Sequence, residues 1–187
     1  MDFCFRKEDY QVRSIEIETC RELVERFHYS RSGSNTGVYT HGLIRKSDMG
    51  VAGCAWWLPP TKGAAKFVWP KGDWRKVLAL SRLVVVPGIP KNAASFLISN
   101  SIKLIKQDKR FECLVSYADK AQGHTGVVYK ASNWEEVDET LPSRTYTLNG
   151  QIISRRAGQK THSHAELISM GAQTAGWSSK RCFRYVL

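Results

Sequence analysis

The sequence predicts an α/β fold, and three observations carry that expectation. A dense apolar strand, Leu80–Val86, precedes the longest helical pattern in the chain, about Ala93 to Lys109, which leads into a second buried strand, Glu112–Ala118. A short helical stretch near Thr125–Ser132 completes a βαβα unit, whose two strands run parallel because a helix carries the chain back across the sheet. The segments on either side read as strands with short connections, so the whole is a mixed, mostly antiparallel sheet with a central parallel pair and flanking helices.

In chain order, Tyr10–Ile17 alternates imperfectly between apolar and polar residues and reads as a strand. Thr19-Cys20-Arg21-Glu22 fits a capping box, with Leu23, Val24 and Phe27 on one face of the helix behind it. Asn35–Lys46 and Gly50–Leu58 read as a hairpin turning near Ser47-Asp48, and Pro59-Pro60 must end its second strand, because proline supplies no ladder N–H. Residues 59–78 carry no regular pattern. Behind Leu80–Val86 stands the turn Pro87-Gly88-Ile89-Pro90, and Asn92 suits the N-cap of the long helix, whose Leu97, Ile98, Ile102 and Ile105 recur at helical spacing. Asn133 fits a left-handed helix end with Trp134 packing beyond it. Everything after Trp134 reads as strands and loops that close the sheet.

No repeat, low-complexity tract or Gly/Ser linker divides the 187 residues, so 1–187 is expected to be one domain with a basic segment at about 143–187. With 42% apolar and 24% charged residues, disorder by composition is excluded. The apolar stretches are too short to span a bilayer, and the first residues lack the basic-then-apolar order of a signal peptide. A cytoplasmic location is expected. The five cysteines form no close pair and read as reduced core thiols, and no CxxC or HxxxH spacing announces zinc. A net charge of +11 suits a polyanionic partner, and the excess is uneven: Ser143–Leu187 holds seven basic residues and one acidic.

Two places could carry chemistry. The start of the long helix exposes unpaired N–H groups that receive phosphate well; Ala93 and Ala94 let an anion approach, Lys91 and Ser95 add a cation and a hydroxyl, and Arg82 could add a second cation. An ordinary capped helix is the alternative. The other place is the C-terminal end of the second strand, where Ser116, Tyr117 and Asp119 face the crevice such sheets use for ligands. Asp119 could equally be a turn cap, and Tyr129 a core tyrosine or a proton donor.

These two regions together resemble the GNAT acyltransferase family. That resemblance implies acyl-CoA as donor, its pyrophosphate at the strand–loop–helix unit (Arg82, Val84, Val85, Lys91, Asn92, Ala93, Ala94, Ser95), and Tyr129 as the group that protonates the departing thiolate. The family's Gly-rich pyrophosphate loop is replaced here by Pro87-Gly88-Ile89-Pro90-Lys91-Asn92. That departure points to a narrower group. Ser81-Arg82-Leu83-Val84-Val85-Val86-Pro87, Pro90-Lys91-Asn92-Ala93-Ala94-Ser95, Ser116-Tyr117-Ala118-Asp119, Gly123-His124-Thr125-Gly126, Ala131-Ser132-Asn133-Trp134 and the His28-Tyr29-Ser30 cluster resemble Mom-type phage DNA modification proteins. The resemblance implies addition of a small carbamoylmethyl or acetamido-type group to the N6 amine of adenine in DNA, protecting it from restriction in the bacterial host. It makes His28, Tyr29, Ser116, Asp119 and Tyr129 the catalytic candidates.

The adenine amine is a poor nucleophile, because its lone pair is delocalised into the ring. It needs an oriented, activated donor and a group to handle a proton, work suited to a histidine or carboxylate such as His28 and Asp119. The same pair, with Tyr29 or His124, could instead hold an iron-like metal. Reaching the amine calls for a flipped base. The run Lys66–Lys76, with Trp69, Lys71, Trp74, Arg75 and Lys76, interleaves aromatics with cations and reads as a DNA-facing loop or as a satellite hydrophobic cluster. Arg31, Arg144, Arg155, Arg156, Lys160 and Arg181 are expected to meet phosphates. Two further functions stay open: a GNAT N-acetyltransferase acting on aminoacyl-tRNA or a protein amine, and a DNA-binding protein without catalysis.

Overall fold

The structure, a computed structural model, describes residues 4–153, 155–157 and 160–187, with the backbone alone at 156 and 157. Strand β1 (Tyr10–Ser14) leads into helix α1 (Ile17–Phe27), and β2 (Tyr39–Arg45) and β3 (Val51–Leu58) form the expected hairpin. Helix α2 (Lys62–Val68) and a 3-10 turn at Trp74–Lys76 precede β4 (Val77–Val85), α3 (Ala93–Asp108), β5 (Cys113–Asp119) and α4 (Val127–Lys130). Then follow β6 (Glu135–Glu139), β7 (Ser143–Leu148), β8 (Gln151–Ile153), β9 (Arg156–Ala157), β10 (Lys160–Thr161), α5 (His164–Ser169), β11 (Gln173–Ser178) and β12 (Lys180–Val186).

The main sheet runs β1-β2-β3-β4-β5-β12-β6, and β4·β5 is its parallel pair. The α/β class and the mixed, mostly antiparallel sheet are therefore as the sequence predicts. Helix α3 covers one face, burying Leu97, Ile98, Ile102 and Ile105 against Leu43, Trp57, Leu78, Leu80, Leu114 and Phe183. On the other face α1 lays Cys20 and Val24 on Cys54, Trp56 and Val84. Each strand can serve both layers because its side chains alternate.

One irregularity shapes the site. Trp57 pairs with Leu80 and Trp56 with Arg82, so Ser81 is an extra residue in β4. Before this bulge Leu78 and Leu80 face α3; after it Leu83 and Val85 do, while Val84 faces α1.

Several expectations are corrected. The helix predicted from Thr19 starts at Ile17, with Glu16 at the N-cap and no side-chain cap bond, because Ile15 and Ile17 already pack on the Trp56 cluster. The capping box is therefore not formed. Residues 59–78 are not irregular: Thr61 accepts a bond from the Ala64 N–H and starts α2, which buries Ala65 and Val68 against Val77, Cys113, Val115 and Cys182. Asn92 sits at the N-cap of α3 but at φ 77°, a left-handed conformation asparagine tolerates, and its side chain caps nothing. After Trp134 only β6 and β12 join the main sheet; β11-β7-β8 and β10-β9 are separate small sheets, joined by a short helix, α5, that pattern reading missed. The five cysteines are unbridged. Among the described residues no helix is long and apolar enough to cross a membrane.

Candidate functional site

The parallel strands separate partway along. Pairing holds from Val77–Cys113 to Ala79–Val115 and then stops, although β4 continues to Val85 and β5 to Asp119. The bulge at Ser81 turns β4 away, while β12 holds β5 from its other side up to Asp119. A cavity of about 330 Å³ fills the opening, walled by Leu80, Ser81 and Leu83 from β4, Ser116, Tyr117 and Ala118 from β5, the segment 123–129, and His28 and Tyr29. The edge of β4 beyond Ala79 has no strand partner on the β5 side; Ser116 and Arg82 occupy the Leu80 and Ser81 carbonyls, and the backbone further along is open to a ligand.

Tyr129 closes the floor. It is 8% exposed, packed against Trp134 and Phe183, with its phenol oxygen 2.9 Å from Ser116 Oγ. Burial holds its hydroxyl above the usual tyrosine range. Ser116 Oγ, with its single proton, also lies 3.2 Å from the Leu80 carbonyl, so Leu80, Ser116 and Tyr129 form one chain of hydrogen bonds at the cavity floor. Helix α4 reaches this place through Gly126 at φ 81°, where a Cβ would stand 2.1 Å from the Phe183 ring, so glycine is required on both counts.

The opposite wall is the loop after α1. The Ser30 N–H donates to His28 Nδ1 at 3.1 Å, and Ser30 Oγ lies 2.8 Å from the same nitrogen. Burial, then the charges of Arg82, His124 and Lys180, push the His28 pKa down to about 4. The ring is thus neutral at pH 7, and because Nδ1 accepts, its proton sits on Nε2. The rings of Tyr29 and His28 lie 4.3 Å apart, and His124 meets Tyr29 edge-on. Arg82 braces this wall: Nε donates to the Ser32 carbonyl at 2.9 Å and Nη1 to the Ser81 carbonyl at 2.8 Å. It therefore ties the bulge to the His28 loop, on the opposite face from the α3 packing.

Asp119 caps the 3-10 turn at Lys120–Gln122 through the Ala121 N–H and pairs with Lys180 at 2.8 Å. It stands outside the cavity wall. Both of its oxygens and Nδ1 of His28 are engaged, and among the described residues no three His, Cys, Asp or Glu side chains gather. This donor set does not fit the suggested iron-like metal.

An acyl-CoA-type donor fits better. The free β4 edge leads toward the first turn of α3, where the N–H groups of Ala94 and Ser95 have no acceptor within the helix and Lys91 is exposed. Ala93 is buried and the Ser95 hydroxyl is turned to the Asn92 carbonyl. Val84 points into the α1 layer and Val85 toward α3, so only their backbone could meet a ligand.

The nucleic-acid candidates scatter. Trp69 and Trp74 pack on the α2 cluster, Arg75 pairs with Asp73, Lys76 pairs with Glu112, and Lys71 is exposed. That is the satellite cluster, with its indoles turned inward. Arg31 borders a second groove beside His28 and Tyr29, bounded across the way by Gln122 and by Gly150, Gln151 and Ile152 of the β7–β8 hairpin. Lys160 pairs with Glu166 and Arg181 with Glu136, while Arg155 donates to the His162 carbonyl. The Arg156 side chain lies outside the described residues.

The sequence profile of the Mom protein family matches residues 9–187. The chain belongs to the Mom protein family. It is 29% identical over 149 residues to the methylcarbamoylase mom of Escherichia phage Mu, an alignment covering 79% of this chain and 61% of that protein, so the chain spans less than two thirds of its curated relative. Solved structures place the fold among GNAT acetyltransferases. The ribosomal-protein-S5-alanine acetyltransferase of Vibrio fischeri aligns at TM-score 0.57 and 9% identity over 97% of this chain and 95% of that one. A GNAT family acetyltransferase from Elizabethkingia anophelis with acetyl-CoA bound aligns at 0.51 and 10%, over 97% and 100%. Spermidine N-acetyltransferase of Vibrio cholerae gives 0.57 and 7%, over 96% of each chain.

In this Mom-family chain the structure brings His28, Tyr29, Ser116 and Tyr129 to one cavity and leaves Asp119 at its rim through Lys180. Sequence reasoning missed the Arg82 brace, the Ser81 bulge and the hairpin residues Gly150–Ile152. The first two leave no local signal, because pairing partners far away in sequence create them.

Proposed function

We propose that the chain is a transferase that places a small group, of the carbamoylmethyl or acetamido kind, on the N6 amine of adenine in DNA. The observation that carries this reading is the split between β4 and β5, whose cavity sets a buried phenol against a neutral histidine. Family membership, the methylcarbamoylase name of the phage Mu relative and the net charge of +11 support it.

A CoA-type thioester, if bound along the free β4 edge with its phosphates at Ala94, Ser95 and Lys91, would supply an acyl carbon that N6 bonds as the thiolate leaves, the proton N6 gives up replacing the one Tyr129 lends to the sulfur. That transfer would give an N6-acyl amide; a carbamoylmethyl group, joined through its methylene, would need a donor activated at that carbon and carrying the amide nitrogen. Tyr129, kept protonated by burial, holds a proton at its hydroxyl for the departing atom. His28, with its proton on Nε2, acts as a hydrogen-bond donor toward developing negative charge rather than as a base. Ser116 orients the phenol, and Arg82 keeps the two walls in register. Tyr29, 38% exposed between cavity and groove, offers a ring on which a flipped purine can stack. Asp119, through Lys180, fixes the β5 end of the cavity.

The test is nucleoside mass spectrometry on DNA from cells expressing the protein. A deoxyadenosine species of increased mass is expected, and its mass gain identifies the group. Unaltered deoxyadenosine beside abundant folded protein would overturn the assignment.

A further inference from the structure

The basic segment builds a surface that the cavity does not use. In the sheet β11-β7-β8, Trp177 stands directly across from Arg144, whose guanidinium lies 5.4 Å from the indole centroid. Trp177 is 67% exposed, the most exposed aromatic among the described residues' large apolar side chains. Its position is built. The register of β11 shifts between Thr174 and Trp177, Gly176 adopts φ 91° there, and Thr145 Oγ1 donates to the Gly176 carbonyl at 3.1 Å. The same sheet face buries Tyr146 under Leu167 and Ala172, so the exposed pair begins where the cover of α5 stops.

The charges around it favour a polyanion. Among the described residues Arg144 makes no ion pair, and its other neighbour is the His164 ring. The acids nearby are already engaged: Glu166 by Lys160 and the Ser163 N–H, Glu139 by Lys120 and Ser179. A cation held over an exposed indole suits a phosphate beside a nucleobase or sugar, since the ring supplies a stacking face and the guanidinium a phosphate ligand.

We propose that the Arg144–Trp177 pair is a second DNA contact, separate from the cavity, that grips the duplex flanking the modified base. This rests on DNA being the substrate. The opposite end of β7 runs into the Gly150 turn, which borders the groove at His28 and Tyr29. From Arg144 to Leu148 the strand spans about 13 Å, and the Gly150 turn lies just beyond it. At about 3.4 Å per step along a strand, one duplex reaches from Arg144 to that turn across about four base pairs.

Anisotropy titrations of a labelled duplex of about two helical turns with the full chain test this. Trp177→Ala should weaken binding about tenfold with the salt slope unchanged, and Trp177→Phe should restore most of it. Arg144→Gln should lower the log–log salt slope by about one. Wild-type affinity in Trp177→Ala together with an unchanged slope in Arg144→Gln overturns the proposal, as does a change in oligomeric mass by light scattering with DNA affinity intact, which would make this face a contact between copies. If Trp177→Ala does not fold, the Arg144→Gln slope decides alone. Nucleoside mass spectrometry separates the two readings. Modified adenine with Trp177-independent binding defeats only the second contact, and Trp177-dependent binding without modification defeats only the enzymatic assignment.

Discussion

At the scale of single residues, the site depends on what burial does to two side chains. Tyr129 is kept protonated because its phenolate would lose water's solvation, while Ser116 orients it. Tyr129→Phe keeps the packing on Trp134 and Phe183 and removes the proton. Modification rate should fall by about 10²–10⁴-fold with the melting temperature little changed, a loss of the size general acids contribute. A rate within twofold of wild type would return Tyr129 to the role of a core residue. His28 differs in sign: its pKa is lowered, so it is uncharged from about pH 4 upward. The rate profile between pH 5.5 and 8 should therefore show no inflection that vanishes in His28→Gln. The identities of these residues were legible from their place after a strand and beside a motif. The tautomer and the Arg82 brace were not, because both depend on backbone atoms of Ser30, Ser32 and Ser81 brought close by folding.

At the scale of elements, strong apolar periodicity was readable and short helices were not. Helix α3 announced itself through Leu97, Ile98, Ile102 and Ile105, whose burial matches their spacing. Helix α2 has seven residues and a glycine in its first turn, so its stability comes from the strands beneath it. Helix α5 did carry a readable signal, the reciprocal Ser163–Glu166 capping box. Helix α4 is held by its entry. Gly126→Ala must accept a left-handed backbone and displace Phe183, which should cost about 2–3 kcal/mol in urea denaturation and lower activity, since Tyr129 lies three residues on. Stability equal to wild type would show that the Phe183 ring moves aside freely.

For the whole molecule, the two layers are joined by a buried polar knot. His41 Nδ1 lies 2.5 Å from Ser101 Oγ, which also accepts from Trp57 Nε1 at 2.7 Å, linking β2, β3 and α3. His41 is 2% exposed, and burial pushes its pKa down to about 4. Between that value and the unfolded value near 6.5, the unfolded chain binds more protons than the folded one. Stability is therefore full above about pH 6.5 and falls as pH drops toward 4, by up to about 1.4 kcal/mol per unit from this group. Urea midpoints at pH 7 and pH 4.5 should differ accordingly, and the difference should shrink in His41→Gln. Equal midpoints would mean that the knot opens to water. The global arrangement was legible as a βαβα unit within antiparallel strands, since chain order alone requires the crossover. The separate sheet of β7, β8 and β11 was not, since alternating residues do not say which sheet a strand will join.

The extra serine in β4 has a consequence for how this chain can vary. Excising it would make Leu80 and Arg82 consecutive partners of Trp57 and Trp56, so β4 would pair with β3 without interruption and Arg82 to Val85 would keep their present faces. The guanidinium and the two valines would stay where they are, but the Ser81 carbonyl that anchors Arg82 would be gone and the strand would lose its swerve from β5. One residue of surplus length thus separates a closed, inert sheet from one that can admit a guest.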